Sequence, residues 1–275
     1  MEKSVRITIS LTLYHDEVAH FNELISSLEG ITGGFEVYFF DNTQNESWKE
    51  RIPNRDNFHY RTLKRNLSFG KGHNKIIEER IDYGDYHLVV NPDIYFDQGI
   101  IEKLIVVMDQ RQEVGLIQPK IVYPNGEIQH HHKLLPKPMD LLSRRFPYFI
   151  QKKFESSKHR YEMRFRNPDE AFEAPTLSGC FMLMRKEAIR QVGAFDPRFF
   201  LYCEDVDLCR RIGKKWRVLY YGKLHIYHHF RKSSYKELRF FYHHVASAIK
   251  YFNKYGWWFD RDRYRLNKAI LDSRV

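Results

Sequence analysis

Three carboxylates stand within four residues in the segment FFLYCEDVDLCRRI, where Glu204, Asp205 and Asp207 open a predicted helix. The helix dipole stabilises acidic side chains near an N-terminus, which is a purely structural explanation for them. Like charges this close also repel each other. The spacing of Asp205, Leu208 and Ile212 places Asp205 at the end of a buried helix face. We therefore interpret Asp205 as a candidate general base at a cleft.

The segment HLVVNPDIYFDQG, residues 87–99, runs from an apolar stretch into Asn91, Pro92 and Asp93. An apolar run that ends in Pro predicts a parallel strand buried on both faces, because Pro cannot donate to the strand ladder. The carboxyl ends of such strands line the ligand crevice of open α/β sheets, which makes Asp93 a candidate binding residue. Asn-Pro-Asp is also good turn chemistry, and a structural turn is the alternative for this tripeptide taken alone.

Two further polar segments stand where a strand ends and where a helix begins. The strand-like EVYFF runs into Asp41 and Asn42, which either bond ribose hydroxyls and a base edge or form an Asx turn. In NLSFGKGHNK, Gly70 and Gly72 permit close approach of the backbone to a ligand. Asn74 follows in the first helical turn, and glycines near a helix start suit phosphate. The spacing is not that of a Walker loop.

A histidine pair follows a predicted strand in KLHIYHHFRKSS. Imidazole is a common ligand of divalent metals, so His228 or His229 could complete a metal site begun by Asp93. A structural role for the histidines is the alternative. The nearby Arg231, Lys232 and Ser233 favour the functional interpretation of the pair.

The elements that must position these residues alternate in βαβ order through the first half of the chain. We predict strands over 5–13, 35–40 and 86–90, and helices over 18–28, 71–80 and 99–109. The Asn125-Gly126 pair then predicts a hairpin turn, where the parallel pattern stops. In the second half we predict strands over 180–184 and 216–221 and helices over 186–192 and 204–212. The polar, basic stretch 130–173 between them predicts an irregular excursion over the site.

The composition favours an anionic partner. The 275 residues include 45 Lys and Arg against 35 Asp and Glu, a net charge of +10. Nucleic acid, a phosphorylated small molecule and an anionic membrane surface all fit that charge. Acidic clusters at the strand ends would repel a nucleic-acid backbone, which weighs against the first. Cys180, Cys203 and Cys209 follow no ligand spacing, so we predict core thiols in a reducing compartment.

The two ends of the chain bear on its location. The N-terminal MEKSVRITISLTLYHDE predicts a strand and not a signal peptide, and no stretch is long and apolar enough to span a bilayer. We therefore expect a cytoplasmic or peripheral protein. The tail is predicted to be an amphipathic helix with basic residues off its apolar face, which suits packing on the domain and contact with a membrane surface equally. The apolar positions are Leu238, Phe241, Val245, Ile249 and Phe252.

Taken together, these motifs resemble the inverting family 2 glycosyltransferases of the GT-A fold. The family's order is matched over about residues 6–235, with NPD in place of the usual Asp-X-Asp, followed by LSGCFMLMRKE, FDPRFFLYCEDVDLCRR and a late His with a Ser pair. The resemblance implies an α/β, Rossmann-like fold with a mostly parallel mixed sheet flanked by helices. Residues 1–120 would form its nucleotide-sugar half, 121–235 its acceptor half and 236–275 a helical tail.

The resemblance also implies roles for the matched positions. Asp205 would take the proton from the acceptor hydroxyl, with Glu204 as its catalytic neighbour and acceptor contact beside Ser178 and Gly179. Asp93 and His228 would hold a divalent metal, Mg²⁺ or Mn²⁺, at the donor diphosphate; Asn91 is a weaker ligand than the usual carboxylate. The nucleotide-sugar site would comprise Thr12, Tyr14, Asp41, Asn66, Gly70, Asn74, Asn91, Asp93 and Lys232.

Within the family, NPD together with QPKI and SGCFMLMRKE looks most like bacterial rhamnosyltransferases that use dTDP-rhamnose. The implied acceptor is a growing surface glycan on a polyprenyl diphosphate lipid, at the cytoplasmic face of the membrane. A transferase for another UDP- or dTDP-sugar is the nearest alternative. A nucleic-acid-binding protein and a sugar-nucleotide-binding subunit without catalysis are alternatives of other classes.

Overall fold

A computed structural model describes residues 6–142, 154–229 and 238–273, and we label its elements in chain order. The strands in these ranges are β1 Ile7–Leu13, β2 Phe35–Asp41, β3 Phe58–Thr62, β4 Tyr86–Val90, β5 Ile94–Tyr95, β6 Val114–Val122, β7 Ala171–Glu173, β8 Phe181–Arg185 and β9 Arg217–His228. The helices are α1 Val18–Glu29, α2 Phe69–Arg80, α3 Ile100–Gln110, α4 Pro138–Leu142, α5 Glu155–Tyr161, α6 Lys186–Val192, α7 Glu204–Ile212, α8 Leu238–Tyr255 and α9 Arg261–Asp272.

The strands form one mixed sheet in the order β3-β2-β1-β4-β8-β6-β9-β5, and β7 also pairs with β9. Strands β1 to β4 run parallel, whereas β8 is antiparallel to both β4 and β6. Every residue of β1 and β4 is buried, as expected of parallel strands with helices on both faces. The predicted α/β fold with a mixed sheet flanked by helices is confirmed.

Two apolar layers sandwich the sheet. Alternate residues of one strand belong to opposite layers, so Leu88 faces one and Val89 the other, and Leu183 and Met182 divide in the same way. Helices α1 and α3 cover the first layer, and α2, α6 and α7 contribute to the second. The three cysteines are buried free thiols, as predicted.

The strand ends that carry polar residues lie where the sequence places them. β4 ends at Val90, so Asn91 and Asp93 follow at its carboxyl end. The Asn125-Gly126 turn is also confirmed, with Gly126 at φ +86° and the Tyr123 amide donating to the Glu127 carbonyl at 2.7 Å. Strand β3 was not predicted, because His59 and Arg61 interrupt its apolar pattern. Strand β5 has two residues and pairs with β9 across the exit of β4.

The tail packs on the domain with only part of the face that the sequence predicts. Tyr251 and Phe252 of α8 are buried against Phe199, whereas Phe241 and Ile249 of the predicted apolar stripe are 38% and 43% exposed. The predicted stripe therefore supplies only part of the packed face. None of the described helices is long and apolar enough to cross a membrane.

Candidate active site

The loop that enters α7 is strained and sets two carboxylates side by side. Tyr202 and Cys203 have φ angles of +71° and +65°, which non-glycine residues rarely adopt. Asp205 is half-buried, and its Oδ2 accepts a hydrogen bond from the Gly179 amide at 3.1 Å. Glu204 is buried, and its Oε2 has no hydrogen-bond partner within the described ranges. The turn therefore places a carboxylate held by backbone amides beside one with an unbonded oxygen.

The loop with Ser178 and Gly179 lies directly against this pair. A Cβ atom on Gly179 would stand 3.3 Å from Cβ of Asp205 and equally close to the Phe69 ring, so a larger residue here would have to push its neighbours aside. The Ser178 carbonyl accepts a hydrogen bond from the buried Gln118 amide at 2.7 Å, which holds the loop. The structure thus brings the predicted acceptor residues to the candidate base, and their contact with an acceptor stays a prediction.

Burial and mutual repulsion perturb both carboxylates. Burial, followed by the charge of Asp205, raises the pKa of Glu204 to about 8. Burial also raises the pKa of Asp205, but amide donors from Gly179 and Val206 oppose that rise by stabilising the ionised form. With a pKa of about 8, Glu204 retains a proton near neutral pH, whereas the amide donors favour the ionised form of Asp205.

This arrangement makes stability depend on pH. Because the pKa of Glu204 lies at about 8 in the folded protein against an ordinary 4.5, the folded state retains a proton that the unfolded chain has lost. As the pH rises between those two values, we expect the free energy of unfolding to fall by up to about 1.4 kcal/mol per pH unit. Urea unfolding at several pH values measures the slope. Glu204→Gln should flatten it, whereas an unchanged slope would assign it to other groups.

Asp207 does not belong to the pair. Its fully buried carboxylate accepts hydrogen bonds from Arg211 Nε at 2.7 Å, from the Tyr255 hydroxyl at 2.7 Å and from the Lys254 ammonium group. The third carboxylate of the motif is therefore neutralised by α7 and α8. The repulsion inferred from the sequence concerns Glu204 and Asp205 alone.

The carboxyl end of β4 brings Asp93 to His228, as the sequence predicts. Oδ1 of Asp93 lies 3.4 Å from Nε2 of His228, and it has no hydrogen-bond partner within the described ranges. Gln129 donates from Nε2 to the His228 carbonyl at 2.8 Å, and its Oε1 lies 2.9 Å from Nδ1 of the same histidine. The bond to Oε1 places a proton on Nδ1 and leaves Nε2 directed at Asp93. The end of β4 therefore sets a carboxylate oxygen close to an imidazole nitrogen.

These residues fit a divalent cation that draws its remaining ligands from a substrate. A carboxylate and an imidazole whose other nitrogen is hydrogen-bonded are ordinary metal ligands. Within the described ranges, no group of three or more His, Cys, Asp or Glu side chains could hold a metal by itself. His229 takes another role, since its ring stacks on His20 at 3.8 Å and bonds to Glu23. Of the two histidines proposed from the sequence, His228 faces Asp93.

Asp41 is fully buried and already bonded within the protein. Its carboxylate accepts hydrogen bonds from the Thr43 hydroxyl at 2.6 Å and the Thr43 amide at 2.7 Å, and from the Tyr60 hydroxyl at 2.9 Å. This geometry matches the Asx turn proposed as the alternative for this position. The nucleotide-binding role of Asp41 stays a prediction, and it requires a ligand to replace one of these donors.

The glycines of the Asn66 segment approach protein atoms. A Cβ atom on Gly70 would lie 3.0 Å from Cβ of Phe195, and one on Gly72 would lie 2.6 Å from the Thr12 methyl group. Both amide atoms of Asn74 bond to the Phe195 backbone, at 2.7 and 2.9 Å. The close backbone approach predicted for a ligand is thus used to dock α2 on the domain. A nucleotide contact by Asn74 would have to break these two hydrogen bonds.

The remaining predicted nucleotide residues are spread around the same edge of the sheet. Thr12 and Tyr14 stand at the exit of β1, and the Tyr14 carbonyl accepts a hydrogen bond from the Trp48 indole at 2.7 Å. Asn66 is half-buried, and its side chain accepts the Ser68 amide at 2.8 Å. Lys232 lies outside the described residues. A groove of about 610 Å³ extends from here between α2 and the loop 194–197, and its lining combines three basic side chains and Glu78 with apolar residues.

A chain of buried polar side chains runs beneath this edge. Ser10 lies 2.7 Å from the His73 ring and 2.9 Å from the His87 ring, whose other nitrogen lies 2.8 Å from the Thr8 hydroxyl. Burial lowers the pKa of His87 to about 3 and that of His73 well below its ordinary value, so both rings are neutral. The sequence analysis missed this network, although the alternation of Thr8, Ser10 and Thr12 in an apolar strand signals it.

Comparison with known proteins places this geometry in a family. The family model described as "Glycosyltransferase like family 2" matches residues 64–240, which contain the Asn66 segment, the NPD stretch and the α7 carboxylates. The chain belongs to this family. The resemblance inferred from the motifs is confirmed, and the acidic turn of α7 and the Asp93 edge lie within the matched part of this family 2 member.

Curated relatives share its sequence over part of their length. The chain is 28% identical to the N-acetylglucosaminyl-diphospho-decaprenol L-rhamnosyltransferase of Mycobacterium tuberculosis over 210 residues, covering 70% of this chain and 66% of that protein. It is 33% identical to the rhamnosyltransferase WbbL of Escherichia coli over 92 residues, covering 30% of this chain and 34% of that protein. The family 2 member thus spans slightly less than two thirds of the mycobacterial relative.

Solved structures confirm the GT-A fold of this family 2 member. GalNAc-T7, crystallised with UDP, GalNAc and Mn²⁺, superposes with a TM-score of 0.62 at 13% identity, over 82% of this chain and 43% of that one. Residues 1–349 of Staphylococcus aureus TarS superpose with a TM-score of 0.59 at 16% identity, over 97% of this chain and 71% of that one. At these identities the likeness concerns the fold.

Proposed function

We propose that this family 2 member is an inverting, metal-dependent glycosyltransferase that moves a sugar from a nucleoside diphosphate to a hydroxyl group of a glycan. One observation carries the proposal. The dipeptide Gly179-Cys180 bonds to both reactive centres, since the Gly179 amide donates to Asp205 at 3.1 Å and the Cys180 carbonyl accepts the Asn91 amide at 2.9 Å. Two successive residues of one loop therefore connect the candidate base to the strand end that carries Asp93.

In the proposed reaction the oxygen of the acceptor hydroxyl attacks the anomeric carbon of the donor sugar, and Asp205 accepts the proton of that hydroxyl. The bond to the diphosphate breaks on the opposite face of the ring, and its electron pair leaves with the diphosphate. Attack and departure in line invert the anomeric centre. One base is enough for this reaction, unlike glycosidases with their two carboxylates. Protonated Glu204 leaves Asp205 ionised without a second negative charge beside it.

Asp93 and His228 are the residues that would hold the divalent metal, Mg²⁺ or Mn²⁺. A bound metal would stabilise the negative charge of the leaving diphosphate. Gln129 contributes by orienting the His228 ring through Nδ1. The GalNAc-T7 structure was determined with UDP and Mn²⁺, which supports this part of the proposal by likeness of fold.

The relatives favour L-rhamnose as the sugar, and we propose dTDP as its carrier. Both curated relatives are named rhamnosyltransferases, and the mycobacterial name includes a sugar linked through diphosphate to decaprenol. We propose a surface glycan on a polyprenyl diphosphate as the acceptor, and a location at the cytoplasmic face of the membrane. Another dTDP- or UDP-sugar is the second candidate, because nothing in the Asp93 edge distinguishes the sugars.

Thermal unfolding with nucleotides tests the proposal. A ligand that binds only the folded state stabilises it by about 2.7 kcal/mol at 100 times Kd. We therefore expect dTDP to raise the melting temperature, and to do so only with Mn²⁺ or Mg²⁺. Asp93→Ala should abolish the shift, whereas Asp97→Ala, at an exposed neighbouring position, should retain it. Transfer from dTDP-rhamnose to a synthetic polyprenyl-diphosphate sugar then tests the reaction. A shift with single-stranded nucleic acid and none with any nucleotide would contradict the proposal.

A further inference from the structure

The tail exposes an unusual amount of aromatic surface. Trp258 and Phe259, in the loop between α8 and α9, are 73% and 97% exposed. Isolated exposed apolar residues are ordinary, but several large rings in one short segment mark a contact surface. We define the aromatic surface by the exposed large side chains of residues 238–273, namely Phe241, Tyr242, Ile249, Trp258, Phe259 and Tyr264.

The exposure of Trp258 and Phe259 is built into the backbone. Gly256 has φ +101°, and a Cβ atom there would collide with the Phe259 carbonyl, so the loop closes tightly on itself. The Arg263 guanidinium donates to the Trp258 carbonyl at 3.2 Å. Asp260, the next residue, caps α9 through the Arg263 amide at 2.9 Å. These bonds hold the loop in place while its two rings point outward.

The charges around the aromatic surface are mainly positive. Asp262 lies 2.6 Å from the Lys214 ammonium group and is neutralised by it. Asp260 is buried in an ion pair. Asp272 is then the exposed acid of the described tail, against four exposed basic side chains, Lys250, Arg261, Arg265 and Lys268.

We propose that the aromatic surface docks the protein on an anionic phospholipid bilayer. A bilayer offers an apolar layer beneath negatively charged headgroups, which complements exposed rings flanked by Arg and Lys. Trp and Tyr favour this interface because one end of each ring system is apolar and the other is polar. A second copy of the chain fits less well, because each copy carries a net charge of +10.

Hydrogen bonds connect the helix that carries part of the aromatic surface to the candidate active site. α8 bonds along the loop 196–203, with the Ser247 hydroxyl donating to the Leu201 carbonyl at 2.8 Å and Lys250 to the Arg198 carbonyl at 2.9 Å. The same loop runs directly into Glu204 and Asp205. Docking would thus bring the catalytic turn close to the membrane. That consequence, a nearby lipid-linked acceptor, rests on the proposed function, whereas bilayer binding itself does not.

Vesicle flotation tests the inference. Wild-type protein should bind vesicles of phosphatidylglycerol and phosphatidylethanolamine, bind phosphatidylcholine vesicles weakly, and lose affinity in high salt. The double variant Trp258→Ser/Phe259→Ser should lower affinity for anionic vesicles at least about tenfold, because both rings leave the interface. The matched control is Tyr83→Ser, which removes a ring that is 54% exposed outside the tail.

Other outcomes would overturn it. Equal vesicle binding by the double variant and wild type would do so, as would the absence of binding to anionic vesicles. A dimer in sedimentation that dissociates in the double variant would assign the surface to a second copy. The nucleotide-induced melting shift should be unchanged in the double variant, so a failure of docking is distinguishable from a failure of the proposed transferase activity.

Discussion

Replacing Asp205 with Asn should lower the rate of sugar transfer by about 10²–10⁴-fold, the usual contribution of a positioned general base. The amide oxygen of Asn can still accept the Gly179 hydrogen bond that holds Asp205 at 3.1 Å. Asn cannot take a proton, so the chemical step suffers while the fold is kept. The turnover number at saturating donor and acceptor measures the effect, and the dTDP-induced melting shift should stay the same.

Two further variants serve as comparisons for Asp205→Asn. Glu204→Gln should reduce turnover far less, within about tenfold, because Gln resembles the protonated acid that the pKa of about 8 maintains near neutral pH. Asp56→Asn removes an exposed carboxylate and should leave turnover unchanged. If Glu204→Gln abolishes transfer while Asp205→Asn retains it, the two carboxylates have the opposite roles.

Loss of the Asp260 carboxylate should destabilise the fold by about 3–5 kcal/mol, as expected when one partner of a buried ion pair is removed. Asp260 bonds to both terminal nitrogens of Arg210 at 2.6 Å, and each side chain is 2% exposed. Burial disfavours the charge on Asp260, but the hydrogen bonds from Arg210 and the Arg263 amide, with the charges of both arginines, together outweigh it and lower the pKa of this carboxyl. Asp260→Ala would leave the Arg210 charge buried without that partner, and urea unfolding measures the loss.

A double variant measures the coupling between Arg210 and Asp260. Arg210→Met/Asp260→Leu removes both charges and should be more stable than Asp260→Leu alone, because no unpaired charge stays buried. Asp85→Ala is a control at an exposed ion pair, where Arg6 lies 3.2 Å away, and it should change stability by no more than about 1 kcal/mol. If the double variant lost the sum of the two single losses, Arg210 and Asp260 would act independently.

Local pattern was sufficient for much of the fold. β4, α6 and α7 have the bounds expected from the sequence or differ from them by no more than the usual uncertainty of element ends. Each combines an unbroken apolar run or a helical period with a strong boundary, such as Pro92 after β4 or Gly193 after α6. These signals act between near neighbours, and they are therefore readable in a single chain.

Long-range partners explain what the pattern could not predict. Asp207 looks like its two acidic neighbours in the sequence, and its neutralisation depends on Lys254, which lies 47 positions away. Gly70 and Gly72 have the spacing expected near phosphate, yet the atoms they approach belong to Phe195 and Thr12. In each case the residue type predicts that a counter-charge or a close contact is present. The tertiary packing determines which group provides it.

The same limits apply to the candidate site. The pairing of Asp93 with His228 was expected because two strand ends were predicted to meet at one edge of a sheet. Gln129, which orients His228, gave no local signal, since it lies 99 positions from its partner, just after the predicted hairpin turn. Strand-end chemistry was thus predictable, whereas the residues that support it were not.

The ionic partners of α7 have a consequence for the order in which the protein matures during synthesis. Domains generally begin to fold while the ribosome is still adding residues. A nascent chain that ends before Lys254 and Asp260 carries an α7 in which Asp207 has lost one of its two cationic partners and Arg210 lacks its buried counter-ion. The full set of ionic partners of α7 is therefore available only after the segment 254–260 has left the exit tunnel. Catalytic competence would be among the last properties that the growing polypeptide acquires.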